Sequence, residues 1–409
     1  MKEVEELDAL NLCGRRTKMI VEEMEKVCQG LFEKELESYF EGKANMDRIK
    51  LLGERRLLGI GIPRDYGGIG GNNLDTALAF VSLGSNLGMS AVSFMNVQNG
   101  LVAKTILRWG TEEQKKRFLP DLASGKKIGS FCLTEPEAGS DPSSLRTTFD
   151  SPATHFANNF ISGTKYLITN GNMADVFIDF AYPKGPKRKK EDLSVFIVER
   201  SGNESQILTE SLHHKIGLHA SDTALIEFND AFVPKENILR LGRGNYVYDH
   251  SFLSGRLGIA AGCVGVILDC LNSAMERSKY RVQHGKPIAK HQLVQAHISA
   301  IAEDFEKARL PTYNAAIIKD IYDLHQESSE LRKKTDYKIS IAKRIAANAA
   351  FDAADRAVQV GGGFGYSTLY SPARHFKDVR VARIYEGSDE MMTLKAAYYL
   401  LGEGFEAFK

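Results

Sequence analysis

Disulfide-forming cysteine, proline, tryptophan, net charge and long apolar runs are all scarce in this chain of 409 residues. The five cysteines, Cys13, Cys28, Cys132, Cys263 and Cys270, are odd in number and scattered, with no C-x-x-C pair. That speaks against a disulfide scaffold and against a zinc ribbon. The histidines lack ligand spacing such as H-E-x-x-H, so no metal is expected. Lys and Arg total 53 against 52 Asp and Glu, a formal net charge of +1; nucleic-acid binding by counterion release calls for a basic excess. The longest apolar run, 257–268 between Arg256 and Asp269, is too short and too glycine-rich to span a bilayer. No secretory leader or Arg-rich transit sequence is read at the start, and the expectation is a reducing, cytoplasmic setting.

What is present is ample core material: 43% hydrophobic and 26% charged residues, enough for two or three domains. Three textures follow one another. Residues 1–128 read as an N-terminal helical domain, with a helix start at Gly110-Thr111-Glu112-Glu113, where Thr111 can cap. Residues 129–240 change period: 161–168, 176–181, 193–198 and 224–228 are short β-branched or aromatic runs, the mark of a small antiparallel sheet or barrel. Its 183–192 loop carries Lys184, Lys187, Arg188, Lys189 and Lys190, read as a solvated hairpin loop. Residues 241–409 return to long helical segments, 256–280, 291–327, 330–359 and 380–400, which predict a four-helix bundle. The fold class is α+β, mainly α.

One stretch stands apart: Cys132-Leu133-Thr134-Glu135-Pro136-Glu137-Ala138-Gly139-Ser140-Asp141. A second is Gln359, Gly362, Gly363, Gly365, Arg374 and Asp378, and a third is Ile384-Tyr385-Glu386-Gly387-Ser388. With 165–171 (KYLITNG), 215–234 and 281–292 (RVQHGKPIAKHQ) in order between them, the chain resembles the acyl-CoA dehydrogenase family over nearly its whole length. Leu369 departs from the second pattern, standing where an acidic residue or Asn is usual.

That resemblance implies FAD as cofactor and an acyl-CoA substrate. Thr134, Ser140 and Thr169 match the hydroxyls beside the flavin ring, whose polar edge must be paired when buried. Arg281 matches the pyrophosphate partner, since guanidinium fits phosphate bidentately. Gln292, Gln359 and Gly363 match ligands supplied by a neighbouring subunit, which implies a homotetramer. Ser388 joins the cofactor set; Ser140, Arg256, Tyr385 and Gly387 make up the substrate set, Arg256 on the CoA moiety and Gly387 leaving room for the thioester. Leu167 stands where an aromatic residue often faces the flavin, and His284 where Phe is usual.

Glu386 is the catalytic candidate. Drawing a proton from the carbon α to a thioester needs a base held at that carbon, and burial raises a carboxyl pKa towards neutrality. The resemblance implies loss of the β-hydride to flavin N5, giving a trans-2-enoyl thioester, with electrons passing to an electron-transfer flavoprotein or similar acceptor. The other position used for the base in this family, just before the arginine of the first bundle helix, is Gly255 here. Glu135 and Asp389 are the fallback bases. A flavin oxidase on the same fold, or a dehydrogenase acting on a carrier-protein thioester, stays open.

Overall fold

The computed structural model describes residues 13–150, 158–185, 189–405 and 407. Helices α1 (Arg15–Glu41), α2 (Met46–Glu54), α3 (Asn73–Leu87) and α4 (Met89–Met95) lead into a π-helical stretch, Asn96–Ala103, and then α5 (Lys104–Trp109) and α6 (Glu112–Ser124). Thr111 caps α6 as its sequence predicts: the hydroxyl accepts the Gln114 amide, and the Gln114 side chain answers on the Thr111 amide. Gln98, from the π-helical stretch, fastens the helices to the sheet. Its amide donates to the Leu122 and Lys127 carbonyls and accepts from the Gly129 N–H.

The sheet contains β1 (Gly129–Cys132), β2 (Thr148–Asp150), β3 (Asn159–Thr169), β4 (Val176–Pro183), β5 (Ser194–Glu199), β6 (Ile207–Ser211), β7 (Thr223–Val233) and β8 (Ile238–Arg240). Its order is β6-β7-β3-β2-β4-β5-β8, with β1 beside β4. The sheet is mixed, where the sequence predicts antiparallel pairing throughout. β4 runs parallel to both β1 and β2 because it reaches them by crossover, not by a tight turn. A bulge interrupts β3 between Lys165 and Ile168; Leu167, at φ 58°, projects from it and is exposed. In the basic loop Lys184 pairs with Asp150 at an exposed site; Lys187 and Arg188 lie outside the described residues.

Three long helices follow: α7 (Gly244–Tyr280), α8 (Gln292–Leu324) and α9 (Ser329–Gly361). α7 is apolar and long enough to cross a membrane, yet 72% of its apolar window is buried, against α3, α8 and α9. Its glycine-rich stretch has a packing purpose, since a Cβ at Gly265 would lie 2.1 Å from the Val81 carbonyl of α3. The fourth long helix, predicted over 380–400, is instead α10 (Ser371–Asp378), a 3-10 turn, an open turn at 384–388, and α11 (Asp389–Leu401). Glu386 at φ 56° and Gly387 at φ 94° cannot continue a right-handed helix, so the chain restarts at Asp389 under a Ser388 cap.

Candidate active site

The open turn places Glu386 against the middle of the N-terminal half of α7. The residue is half-buried, but its Oε2 is closed off and has no hydrogen-bond partner among the described residues. Oε1 accepts a 3.3 Å bond from the Asn96 amide. The carboxylate lies directly over Gly255: a Cβ there would come within 2.4 Å of Oε2. The absence of a side chain at 255 is therefore what leaves room for Glu386. Burial pushes the carboxyl up to about 7, against the opposing pull of the nearby Arg256 and Lys343 charges.

The turn is tied down from three sides. Arg256 donates through Nε to the Glu386 carbonyl at 3.0 Å and through Nη1 to Asp336 at 3.0 Å, with Lys395 on the other Asp336 oxygen at 2.9 Å. Lys343 of α9, fully buried, donates to the Gly387 carbonyl at 2.6 Å. The Tyr385 hydroxyl lies 3.3 Å from Ser93 of α4. Arg256 is thus buried and spends its hydrogen bonds on the turn and on Asp336, where the sequence assigns it to the CoA moiety. Gly387, expected to leave room for the thioester, sits at φ 94°, a backbone that itself favours glycine. Ser388 caps α11 by accepting the Met391 amide, and its hydroxyl also bonds the Glu390 carboxylate.

Both fallback bases are committed elsewhere. Glu135 accepts from Lys165 and from the Arg146 and Thr147 amides; burial works upward on its pKa, but Lys165 and these bonds carry it below the usual value. Asp389 accepts from Arg383 and Asn348.

Thr134 lies just beyond the end of β1, and Thr169 is the last residue of β3. The Tyr166 N–H donates to the Thr134 carbonyl, and Ser130 donates to that of Thr169. Neither threonine hydroxyl is used by the fold among the described residues. The Phe131 ring, 6.0 Å from Phe252, seats β1 on the first turns of α7, and Arg256 stacks on that same Phe252 ring at 5.2 Å. Thr134 therefore belongs to the Glu386 end of α7. Ser140 is exposed on the loop that follows.

Arg281, Gln292, Gln359 and Gly363 gather at the opposite end of α7. The Arg277 guanidinium lies 4.7 Å from the Phe364 ring, which joins the end of α7 to the glycine-rich turn after α9. All four residues are exposed, and the Arg281, Gln292 and Gln359 side chains make no polar contact among the described residues. A Cβ at Gly363 would meet nothing within 4 Å, so the chain's own packing does not require glycine there. His284 and Gly285, both at positive φ, form the tight turn of a small hairpin, β9 (Val282–Gln283) and β10 (Lys286–Pro287), beside Arg281. At 1.5 Å per residue, Arg256 and Arg281 are about 37 Å apart along the helix line. One protomer does not bring the two sets together.

Asn96 and Lys343 escaped sequence reading. The π-helical stretch has no residue signature that separates it from α-helix, and a lysine at a helical core position reads as a surface charge.

Three family models match the chain in succession: the acyl-CoA dehydrogenase N-terminal domain over 15–126, the middle domain over 130–231 and the C-terminal domain over 242–401. The chain belongs to the acyl-CoA dehydrogenase family and is an oxidoreductase of that class. It is 37% identical over 355 residues to an acyl-CoA dehydrogenase of Bacillus subtilis, covering 87% of this chain and 89% of that one. It is 34% identical over 350 residues to a short-chain-specific acyl-CoA dehydrogenase of Clostridium acetobutylicum, covering 85% and 88%. The butyryl-CoA dehydrogenase structure from Megasphaera elsdenii matches with a TM-score of 0.88 at 30% identity, over 95% of this chain and 99% of that one.

Proposed function

We propose that this chain dehydrogenates a saturated acyl-CoA thioester to the trans-2-enoyl thioester, with Glu386 as the base. The observation that carries this reading is a half-buried carboxyl held up near pH 7 over a glycine notch, with one oxygen left unpartnered. Family membership supports dehydrogenation of an acyl thioester, and the carboxyl's setting supports its part in it. Near neutrality a group at this pKa is deprotonated in a useful fraction and still strong enough to take a proton. Arg256 holds the Glu386 carbonyl and Asn96 holds Oε1, so Oε2 is the oxygen free to receive the α-proton.

FAD, when bound, supplies the acceptor for the β-hydride. The residues present suit it. Thr134 and Thr169 offer hydroxyls unused among the described residues, Ser140 is accessible, and Ser388 stands in the same turn as Glu386. At the other end of α7, Arg281, Gln292 and Gln359 offer free donors, and Gly363 leaves the backbone open to close approach. Because that second set stands far from Glu386, we assign it to the cofactor of a neighbouring protomer, within a homotetramer. A related glutaryl-CoA dehydrogenase of Mycobacterium smegmatis, 27% identical, has been solved with FADH2.

The relatives include short-chain and glutaryl-CoA enzymes. An electron-transfer flavoprotein or similar acceptor completes the cycle, and five free thiols, four of them buried, suit a reducing cytoplasm. A second reading, an oxidase on a carrier-protein thioester, is favoured by one structural relative at 26% identity described as a prolyl acyl carrier protein oxidase. Both readings keep Glu386.

The test uses the FAD-loaded protein with butyryl-, octanoyl- and palmitoyl-CoA. Bleaching of the flavin under anaerobic conditions, followed by turnover with an artificial acceptor, is the expected result. Glu386→Gln should slow the bleaching by about two to four orders of magnitude. A Glu386→Gln protein bleached at the wild-type rate would overturn the assignment; fast reoxidation by oxygen would favour the oxidase.

A further inference from the structure

We propose that Lys343 is a positioning residue for Glu386, a buried cation that holds the turn in its open geometry and keeps the carboxylate available at working pH. The proposal rests on the reading of Glu386 as the base.

Lys343 lies in the middle of α9, beneath the 384–388 turn and fully buried. A lysine ammonium is among the groups least often found fully buried without a partner, because desolvation of the charge is costly. This one donates to a single main-chain acceptor, the Gly387 carbonyl at 2.6 Å. Gly387, at φ 94°, and Glu386, at φ 56°, are successive residues in left-handed backbone. Glycine takes this conformation freely, but a glutamate held there carries strain and persists only where the surroundings over-determine it. Arg256 grips the carbonyl of Glu386 from α7 and Lys343 grips the next carbonyl from α9. The two cations fix the peptide unit that follows Glu386 and the one after it, and so hold the turn that presents the carboxylate to Gly255.

The charge has a second effect. Facing Lys343 are Asp389 at the start of α11, Cys263 and Arg256 on α7, and Glu386 itself; burial draws the ammonium down to about 8, while Asp389, Cys263 and Glu386 pull the other way. Facing Glu386 are the Arg256 and Lys343 cations, which oppose the burial that holds its proton on. A neutral residue at 343 would leave Arg256 alone against that burial, and the carboxyl would keep its proton to higher pH. Asn96, which donates to Oε1, is neutral and cannot compensate.

The test compares wild type, Lys343→Met, Lys343→Arg and Glu386→Gln as FAD-loaded proteins, with the anaerobic rate of flavin bleaching by butyryl-CoA measured from pH 5.5 to 9. Lys343→Met should move the acid limb upward by roughly half to one pH unit and lower the plateau rate about tenfold or more through misplacement. Lys343→Arg should return the acid limb towards wild type, because the charge is restored, with the plateau only partly recovered. A purely structural lysine would lower the amount of folded protein without moving the limb. Lys343→Met with a wild-type limb and plateau overturns the proposal. So does failure of both Lys343 variants to accumulate with FAD, which would make the lysine a packing strut. Glu386→Gln separates the two claims: if it bleaches normally, the base assignment has failed; if it is silent while Lys343→Met is unchanged, only the role of Lys343 has failed.

Discussion

The two ends of α7 are built in opposite ways. At the Glu386 end nearly every polar group is engaged within the protomer: Arg256 on two partners, Lys343 on a carbonyl, Asn96 on the carboxylate, Tyr385 beside Ser93. Within that turn Oε2 of Glu386 is enclosed and without a partner among the described residues, and it is the atom proposed to take the α-proton. At the Arg281 end the polar side chains are exposed and idle, and Gly363 answers no need of its own chain. A chemical centre gains from pre-organisation, which fixes geometry before the substrate arrives. A docking end gains from donors left free for a group that comes from outside. The contrast fits the proposal that one cofactor site is built from two protomers, from residues that stand about 37 Å apart along a single helix.

Breaking the outward end should give the largest effect on cofactor retention. In Arg281→Ala/Gln359→Ala, loss of a charge-assisted bond worth about 1.5–3 kcal/mol should raise the FAD dissociation constant about 10- to 100-fold. Flavin fluorescence during titration of apoprotein reads this directly, and an unchanged constant would remove these residues from the site. Crowding the inward end should act on rate instead. Gly255→Ala places a methyl on the Glu386 carboxylate, an overpacking of about 1–3 kcal/mol, and should slow flavin bleaching about tenfold or more. A wild-type rate in Gly255→Ala would show that the carboxylate does not need the notch.

The smallest effect is on stability. The Glu386 carboxyl titrates near 7 when folded against an ordinary value of 4.5, so between these values the native state binds a proton that the unfolded chain has released. Its contribution is therefore present below pH 4.5 and is lost as pH rises through about 7. Glu386→Gln should flatten that part of the stability curve in urea unfolding at pH 5 to 8; an unaltered slope would show an ordinary carboxyl.

The sequence shows the same asymmetry. Thr111 at a helix start and the strand runs at 161–168 and 176–181 are local signals, and the structure carries them. The site motifs are legible because each is contiguous or nearly so. What the sequence hides is tertiary. That the segment at 380–400 breaks follows from a left-handed glutamate and glycine whose carbonyls are held by Arg256 and Lys343, some 130 and 40 positions away. The buried place of Arg256 and the parallel strands beside β4 are likewise properties of distant partners meeting.

The most direct measurement of this two-ended design is subunit complementation. Glu386→Gln chains and Arg281→Ala/Gln359→Ala chains are mixed, dissociated and reassembled, then assayed for acyl-CoA-dependent flavin bleaching with FAD limiting. If each cofactor site joins the Glu386 end of one protomer to the Arg281 end of its partner, a hybrid pair contains one site intact in both respects. Random reassembly across a two-fold axis should then restore about a quarter of the wild-type sites. Activity that never exceeds the sum of the two parent variants would show that both ends serve the cofactor of a single chain, and would contradict this account.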